Sequence, residues 1–519
     1  MKLKDTSHRT FYVTDVDDIE DTEETMCLMR GVAEEHRERG IRALILGSYS
    51  VNMKDVKEKL TQLFKDKIPI FLVHGDKRVT SLRQTKKKKK NTYEMNLKPL
   101  ARTEIEQSPC KKNVFQEENE KRRAKCTWYV RDLPENFMAR FAGLLLGVHH
   151  SKYALMFCEN HLRVGITTQN LKKGYVTDAV WFSPRIPLRK ETISLSSDWC
   201  RALSNYMKST DECLVWNAAY NPDTLPKGVD LKSDTVPLTL QDFICLYQPN
   251  LVVSKHSENF WIDLFEKFSF ETLDTEGPFL VCSVPGTSPQ DIDEENPMYG
   301  RATRRVRYLL RKLRKQRESL GETCSNENDD IFMQPTSISS KIHTKYLWTE
   351  LMMCYSAGVM AENPRLIWPS ERFSKRCKQG HSCAFFSPQA FVELGRDGAQ
   401  NSFCHFDVTD CWKSTHESRM PHIKSVFRVL SSTSPSNDDD DNRVELEWLL
   451  VGSMCLSRGA LGALTCVKHN VNYECDCDPK ILKKNFRVCF LVLRIRDIFV
   501  IHLSLCIALY PLIPTGTKF

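Results

Sequence analysis

His150-Ser151-Lys152, with Asn170 eighteen residues beyond the lysine, recurs in the other half of the chain as His422-Ile423-Lys424. One H-x-K tripeptide is chance. Two, each leading into a pair of apolar strands that ends in a related octet, are a duplicated supersecondary unit. The octet Thr167-Thr168-Gln169-Asn170-Leu171-Lys172-Lys173-Gly174 aligns with Gly452-Ser453-Met454-Cys455-Leu456-Ser457-Arg458-Gly459, keeping the hydroxyl, the leucine, the base and the glycine in register. Tyr153 to Glu159 and Leu162 to Thr168 read as strands turning at Asn160; Val426 to Leu430 and Val444 to Val451 repeat the pattern.

Residues i and i+2 of a strand share a face, so each motif presents an imidazole beside an ammonium. Two such units facing each other across a pseudo-twofold would line one pocket with His150, Lys152, Asn170, His422 and Lys424. The motifs bring no carboxylate for a metal. Such a set suits a phosphodiester, because phosphoryl transfer is mainly positioning and neutralisation of charge on the non-bridging oxygens. One histidine attacks phosphorus while the other protonates the leaving oxygen, which requires opposite protonation states in neighbouring groups.

At these residues the chain resembles the phospholipase D superfamily, and within it the tyrosyl-DNA phosphodiesterases. The resemblance is carried by Gly147 to Lys152 and Leu162 to Leu171. It extends to the blocks 72–78, 181–184, 283–286, 334–340, 367–370 and 420–424, in the family's order over roughly residues 40 to 462. It implies two similar α-β-α sandwich domains, residues 1–276 and 277–519, with the active site at their interface. The first would carry a basic insertion at 80–125 and the second an atypical end after 462. It further implies that His150 is a nucleophile forming a phosphohistidine with a DNA 3′ end, and that His422 is the proton donor and acceptor. Lys152, Asn170 and Lys424 would bind phosphate, with Cys455 at the fourth such place; Ser337, Ser340, Ser457 and Arg458 would hold the DNA backbone. The implied substrates are single- and double-stranded DNA with blocked 3′ ends, above all a topoisomerase-derived phosphotyrosyl peptide. No metal or organic cofactor is implied, and a monomer in the nucleus is expected.

The chain departs from that pattern in three places. Cys455 stands where a second asparagine belongs, and a thiol is a weak donor beside an amide. In Asn485-Phe486-Arg487 an arginine replaces an expected carboxylate, and Val488 to Phe519 has no evident counterpart. A Ser/Asp-rich loop, Ser431 to Arg443, widens the second motif. The two readings are therefore an active phosphodiesterase and a weak or inactive homologue that binds DNA ends. A phospholipase or general nuclease is disfavoured by the Thr336–Ser340 and Met420–Lys424 blocks.

Composition is that of a globular protein, 41% hydrophobic and 27% charged over 519 residues, and two domains are the natural expectation. A net charge of +8 fits a polyanion partner without specifying one. Met1 to Asp5 lacks the apolar stretch of a secretory signal, so the 20 cysteines are read as thiols. Cys377, His381, Cys383, Cys404, His405, Cys411 and His416 do not have the paired spacing of a zinc site. The apolar run Ile498 to Ile513 is short of the about 20 residues that span a bilayer. It reads as a buried strand or helix pair, with a tail anchor or a read-through end as the alternatives.

Two basic segments are candidate DNA contacts: the lysine run Lys86 to Lys90, and a helix over Arg301 to Arg317 with Val306, Leu309, Leu310 and Leu313 on its apolar face. Helices over Glu23 to Glu38 and Met53 to Phe64, alternating with strands Ile41 to Leu46 and Ile68 to Val73, predict a layered α/β domain. A further strand, Phe279 to Ser283, opens the second half.

Overall fold

A computed structural model describes residues 10–13, 26–75, 137–141, 149–172, 179–190, 197–218, 239–252, 257–283, 297, 299, 302–321, 330–335, 337–338, 351–356, 364–369, 385–386, 403–406, 423–429, 446–453 and 488–493. The lysine run, the cysteine–histidine cluster around 377–383 and the apolar run 498–513 lie outside them. None of the described helices is long and apolar enough to cross a membrane.

The first half builds one sheet from β1 (Thr10–Val13), β2 (Ile41–Ser48), β3 (Ile70–His74), β4 (Phe137–Phe141), β5 (Tyr153–Cys158), β6 (His161–Thr167) and β7 (Ala179–Phe182), with β8 (Ile186–Pro187) beside β6. Its order is β1-β7-β6-β5-β2-β3-β4. Alternate residues of the central strands enter two different cores, as the period of two requires. Leu44, Leu46, Ile70, Leu72, Ala154 and Met156 pack with α1 (Cys27–Arg39), α2 (Met53–Lys59) and α3 (Thr61–Lys65). Ala43, Ile45, Phe71, Val73, Leu155 and Phe157 pack with α4 (Asp198–Ala218), α5 (Leu240–Tyr247), α6 (Phe260–Phe265) and α7 (Glu271–Glu276). Helices therefore cover both faces of this sheet.

The second sheet comprises β9 (Phe279–Ser283), β10 (Ile331–Gln334), β12 (Pro364–Pro369), β14 (Phe403–Phe406), β15 (Ser425–Val429), β16 (Leu446–Gly452) and β17 (Val488–Leu493). Its order is β14-β12-β10-β15-β16-β17-β9. Read from the other end, it repeats the seven-strand path of the first sheet, β8 having no counterpart among the described residues. The parallel pairs β2–β3 and β3–β4 correspond to β10–β12 and β12–β14. The antiparallel pairs β2–β5, β5–β6, β6–β7 and β7–β1 correspond to β10–β15, β15–β16, β16–β17 and β17–β9. Val488 to Leu493, which the sequence left without a counterpart, thus takes the place that β7 has in the first sheet. A separate two-stranded sheet pairs β11 (Ser337–Ile338) with β13 (Phe385–Phe386).

The helix layer of the first half also meets the second: Leu280 and Cys282 of β9 join the same apolar cluster as Trp199, Leu203 and Tyr206. A smaller cluster of Ala179, Ile423, Leu449 and Val451 closes the halves together near the motifs.

Two readings of helices need correction. The helix expected over Met53 to Phe64 is interrupted at Leu60, where α2 ends and α3 begins; there the Thr61 hydroxyl lies 3.0 and 2.8 Å from the carbonyls of Lys57 and Glu58. The basic helix is real as α8 (Ala302–Ser319), but Arg304 and Arg305 are buried with Val306, Leu309 and Leu310. Arg305 pairs with Asp198, donates to the Pro297 carbonyl at 3.1 Å and lies over the Tyr299 ring. That end of α8 is core, and only its later turns carry bases at the surface.

Candidate active site

Both H-x-K motifs end where a hairpin begins: Lys152 precedes β5 and Lys424 precedes β15. Each hairpin closes on its lysine by the same bond, since the first residue of each octet returns to the lysine carbonyl. Thr167 N donates to Lys152 O at 3.1 Å, and Gly452 N donates to Lys424 O at 3.2 Å.

The lysines then cross between the halves. Lys152 Nζ donates to Ser453 Oγ at 2.7 Å and to His150 O at 2.9 Å, while Lys424 Nζ donates to Thr168 O at 3.2 Å. Thr168 and Ser453 are the aligned second residues of the two octets, so each ammonium reaches the same place in the opposite repeat. Both lysines are 0% exposed, and these contacts are with neutral oxygens. Such a place favours an anion.

His150 lies against this pair. Its Nδ1 is 3.1 Å from Ser453 Oγ, 3.3 Å from Ser453 O and 3.3 Å from Lys152 Nζ. Burial, followed by the charges of Lys152 and Lys424, pushes the imidazole pKa well below its ordinary value, against the opposing pull of the Ser453 carbonyl. The ring is therefore neutral at pH 7. The Tyr49 ring lies beside it, centroid to centroid 5.0 Å.

Asn170 is oriented by the other side of the pocket. Its Oδ1 accepts from the backbone N–H of Ser50 at 3.3 Å. A backbone N–H can only donate, so the oxygen must be the end that meets it and the NH₂ end is the remaining donor. The next residue is fixed as well, with Leu171 N donating to Ser48 Oγ at 3.1 Å and Leu171 O accepting from Asn52 N at 2.9 Å. Gly75, at the end of β3, lies against the backbone before His150: a Cβ there would fall 1.8 Å from the His149 carbonyl oxygen. Only glycine permits that approach.

The structure thus brings together His150, Lys152, Asn170 and Lys424. His422, Cys455, Ser340, Ser457 and Arg458 lie outside the described residues, and Ser337 opens β11. Sequence reasoning missed Ser453, Tyr49 and Gly75 as parts of the site. For Ser453 a signal existed in the hydroxyl shared with Thr168, whose purpose appears only once the halves face each other.

Among the described residues, one set places three potential metal donors within 4.8 Å: Glu35, Cys158 and His161. It sits at the far end of β5 from Lys152. The Glu35 carboxylate is engaged by Arg163, by Arg185 at 3.0 Å and by His161 at 2.8 Å. Burial pushes the Cys158 thiol pKa up to about 12. The Glu35 carboxylate and its two guanidiniums make an ion-pair network that holds α1 to β6, and with the protonated thiol beside it the set is a poor cation site.

The repeated mixed sheet sets a histidine beside two lysines that cross between the repeats, an arrangement suited to holding a phosphate. The chain belongs to the tyrosyl-DNA phosphodiesterase family, whose profile it matches over residues 10–221 and 239–477, and is thus a phosphodiesterase hydrolase. Yeast tyrosyl-DNA phosphodiesterase shares the fold at 14% identity and a TM-score of 0.51, the match covering 94% of this chain and 90% of that one. A mutant form of the yeast enzyme matches at 13% identity and a TM-score of 0.50, covering 94% and 88%. No curated protein sequence matches the chain.

Proposed function

We propose that the chain hydrolyses the bond between a DNA 3′-phosphate and a tyrosine or other blocking group, through a phosphohistidine and without a metal. The observation that carries this reading is the crossing of Lys152 and Lys424 between the repeats beside a neutral His150. His150 Nε2 attacks phosphorus, and the bond from phosphorus to the tyrosyl oxygen breaks as His422 gives that oxygen its proton. His422 then takes a proton from water, the hydroxide attacks phosphorus, and the Nε2–P bond breaks to leave a 3′-phosphate. Lys152, Lys424 and the Asn170 amide neutralise the non-bridging oxygens. Ser337, Ser340, Ser457 and Arg458 hold the DNA strand, and Cys455 stands beside the phosphate. Residues 1–276 and 277–519 act as two domains that each supply one motif. The protein works as a monomer in the nucleus, on single- or double-stranded ends.

The test is a single-stranded oligonucleotide ending in 3′-phosphotyrosine, incubated with the protein in EDTA. A 3′-phosphate product is expected; a strict requirement for a divalent metal refutes the mechanism. His422→Asn should trap a covalent DNA–protein species that His150→Gln cannot form, and an adduct surviving loss of His150 reverses the assignment. Cys455 favours one second reading, a homologue that binds ends without turning them over. That reading predicts retention of the oligonucleotide with no product.

A further inference from the structure

We infer that Ser453, reaching across from the second repeat, is a positioning residue that keeps the His150 proton on Nδ1 and so leaves the Nε2 lone pair facing phosphorus. The inference rests on the phosphohistidine reading above and names what prepares the nucleophile.

His150 Nδ1 lies between opposing demands. The Ser453 carbonyl, 3.3 Å away, can only accept and so calls for Nδ1–H. The Lys152 ammonium, also 3.3 Å away, can only donate and calls for a bare Nδ1, which would put the ring proton on Nε2 and silence it. The Ser453 hydroxyl decides the contest. Its single proton goes to His150 O at 2.6 Å, so its lone pairs face the other neighbours. One accepts the Lys152 ammonium at 2.7 Å, much closer than that ammonium lies to the ring, and the other is 3.1 Å from Nδ1. With a further N–H bond to His150 O at 2.9 Å, two of the three ammonium protons are directed away from the imidazole. As Nε2 bonds phosphorus the ring gains positive charge. Nδ1–H then donates more strongly to the two Ser453 oxygens, which stabilises that charge where it develops. Ser453 is 0% exposed, so its hydroxyl meets these groups and not bulk solvent.

The test combines ring-nitrogen NMR of histidine-labelled protein with single-turnover kinetics on the 3′-phosphotyrosyl oligonucleotide. The His150 signals are assigned by their loss in His150→Gln. In the free wild-type protein the His150 proton should be on Nδ1. In Ser453→Ala it should move to Nε2, and adduct formation should slow by about 10–100-fold, the range found when a partner that orients a metal-bound imidazole is removed. KM should change little, because Lys152, Lys424 and Asn170 remain. Ser453→Thr, which keeps the hydroxyl, should restore both readouts. An Nε2 proton in the wild-type protein overturns the inference without needing any variant to fold. An unchanged rate in Ser453→Ala overturns it too, as does a threonine variant as slow as the alanine one. If instead the wild-type protein forms no adduct, the phosphohistidine reading fails, while the tautomer measurement still answers for Ser453.

Discussion

In the proposed mechanism His150 must keep a lone pair at the working pH, and its surroundings secure this twice over. Burial penalises the imidazolium, and the ammoniums of Lys152 and Lys424 repel it. The sign for activity follows directly. The reactive neutral form persists as pH falls and is lost only below the depressed pKa, so the acid limb of kcat/KM belongs below the ordinary histidine range. Lys424→Gln removes one repelling charge and should move that limb upward, while also lowering the rate through weaker phosphate binding; a pH–rate profile that does not move would exclude Lys424 as a neighbour of the nucleophile in solution. Cys455 adds a second prediction at this scale. Loss of one preorganised donor typically costs ~10²–10³ in rate, so Cys455→Asn should raise turnover toward that extent. Steady-state kinetics check it, and no gain would place position 455 away from the phosphate. The grouping of His150, Lys152, Asn170 and Lys424 was legible because residue type and spacing announce it. Ser453 was not, since a serine matters here only through the partner it meets across some 300 residues, at a separation of 303 from His150.

Between residue and molecule stand the elements that hold the first sheet to its helices. The Glu35 carboxyl projects from α1, is 1% exposed, and binds His161 and Arg163 of β6 together with Arg185. Burial alone would raise its pKa, but the hydrogen bonds from His161 and Arg185 and the charge of Arg163 outweigh that and lower it to about 2. With a folded pKa below the unfolded one, the network's contribution to stability is complete above about pH 4.5 and is lost as pH falls toward 2. Glu35→Gln should cost about 3–5 kcal/mol at neutral pH, because it leaves the Arg163 guanidinium near a buried site without its anion, while Arg185 keeps Glu38 at 2.7 Å. It should also flatten the acid limb of the denaturation curve; urea titrations at pH 7 and pH 3 measure both effects. Strands and hairpins were readable locally, since the unbroken apolar run Tyr153 to Cys158 and the alternating run Leu162 to Thr167 flank a turn at Glu159 and Asn160. The burial of Arg304 and Arg305 was not, because the Asp198 that neutralises Arg305 lies 107 residues earlier. Pattern alone gives such a helix a basic face, and only tertiary contact turns part of that face inward.

At the scale of the molecule, one duplicated hairpin in the sequence proves to be one duplicated sheet. Beyond the hairpins the repeat has no sequence signature, because the same strand order and sense can be built from unrelated apolar segments as long as the pairing is kept. β17 is the case in point. Val488 to Leu493 resembles no part of β7, yet it pairs with β16 on one side and β9 on the other, as β7 does with β6 and β1. Without it, β16 and β9 would each present an unpaired edge in the middle of a sheet, a template for association with other chains. The Ser453 segment that follows β16 would also lose its support. A chain ended at residue 487 is therefore expected to be insoluble or to unfold without cooperativity, and to show no phosphodiesterase activity. A chain ended at residue 493 keeps every described strand, and should exceed the shorter one both in the cooperativity of its unfolding and in turnover of 3′-phosphotyrosyl DNA. Thermal unfolding and the oligonucleotide assay on the two truncations decide the matter: if the shorter chain is as stable and active as the longer, β17 does not close the second sheet.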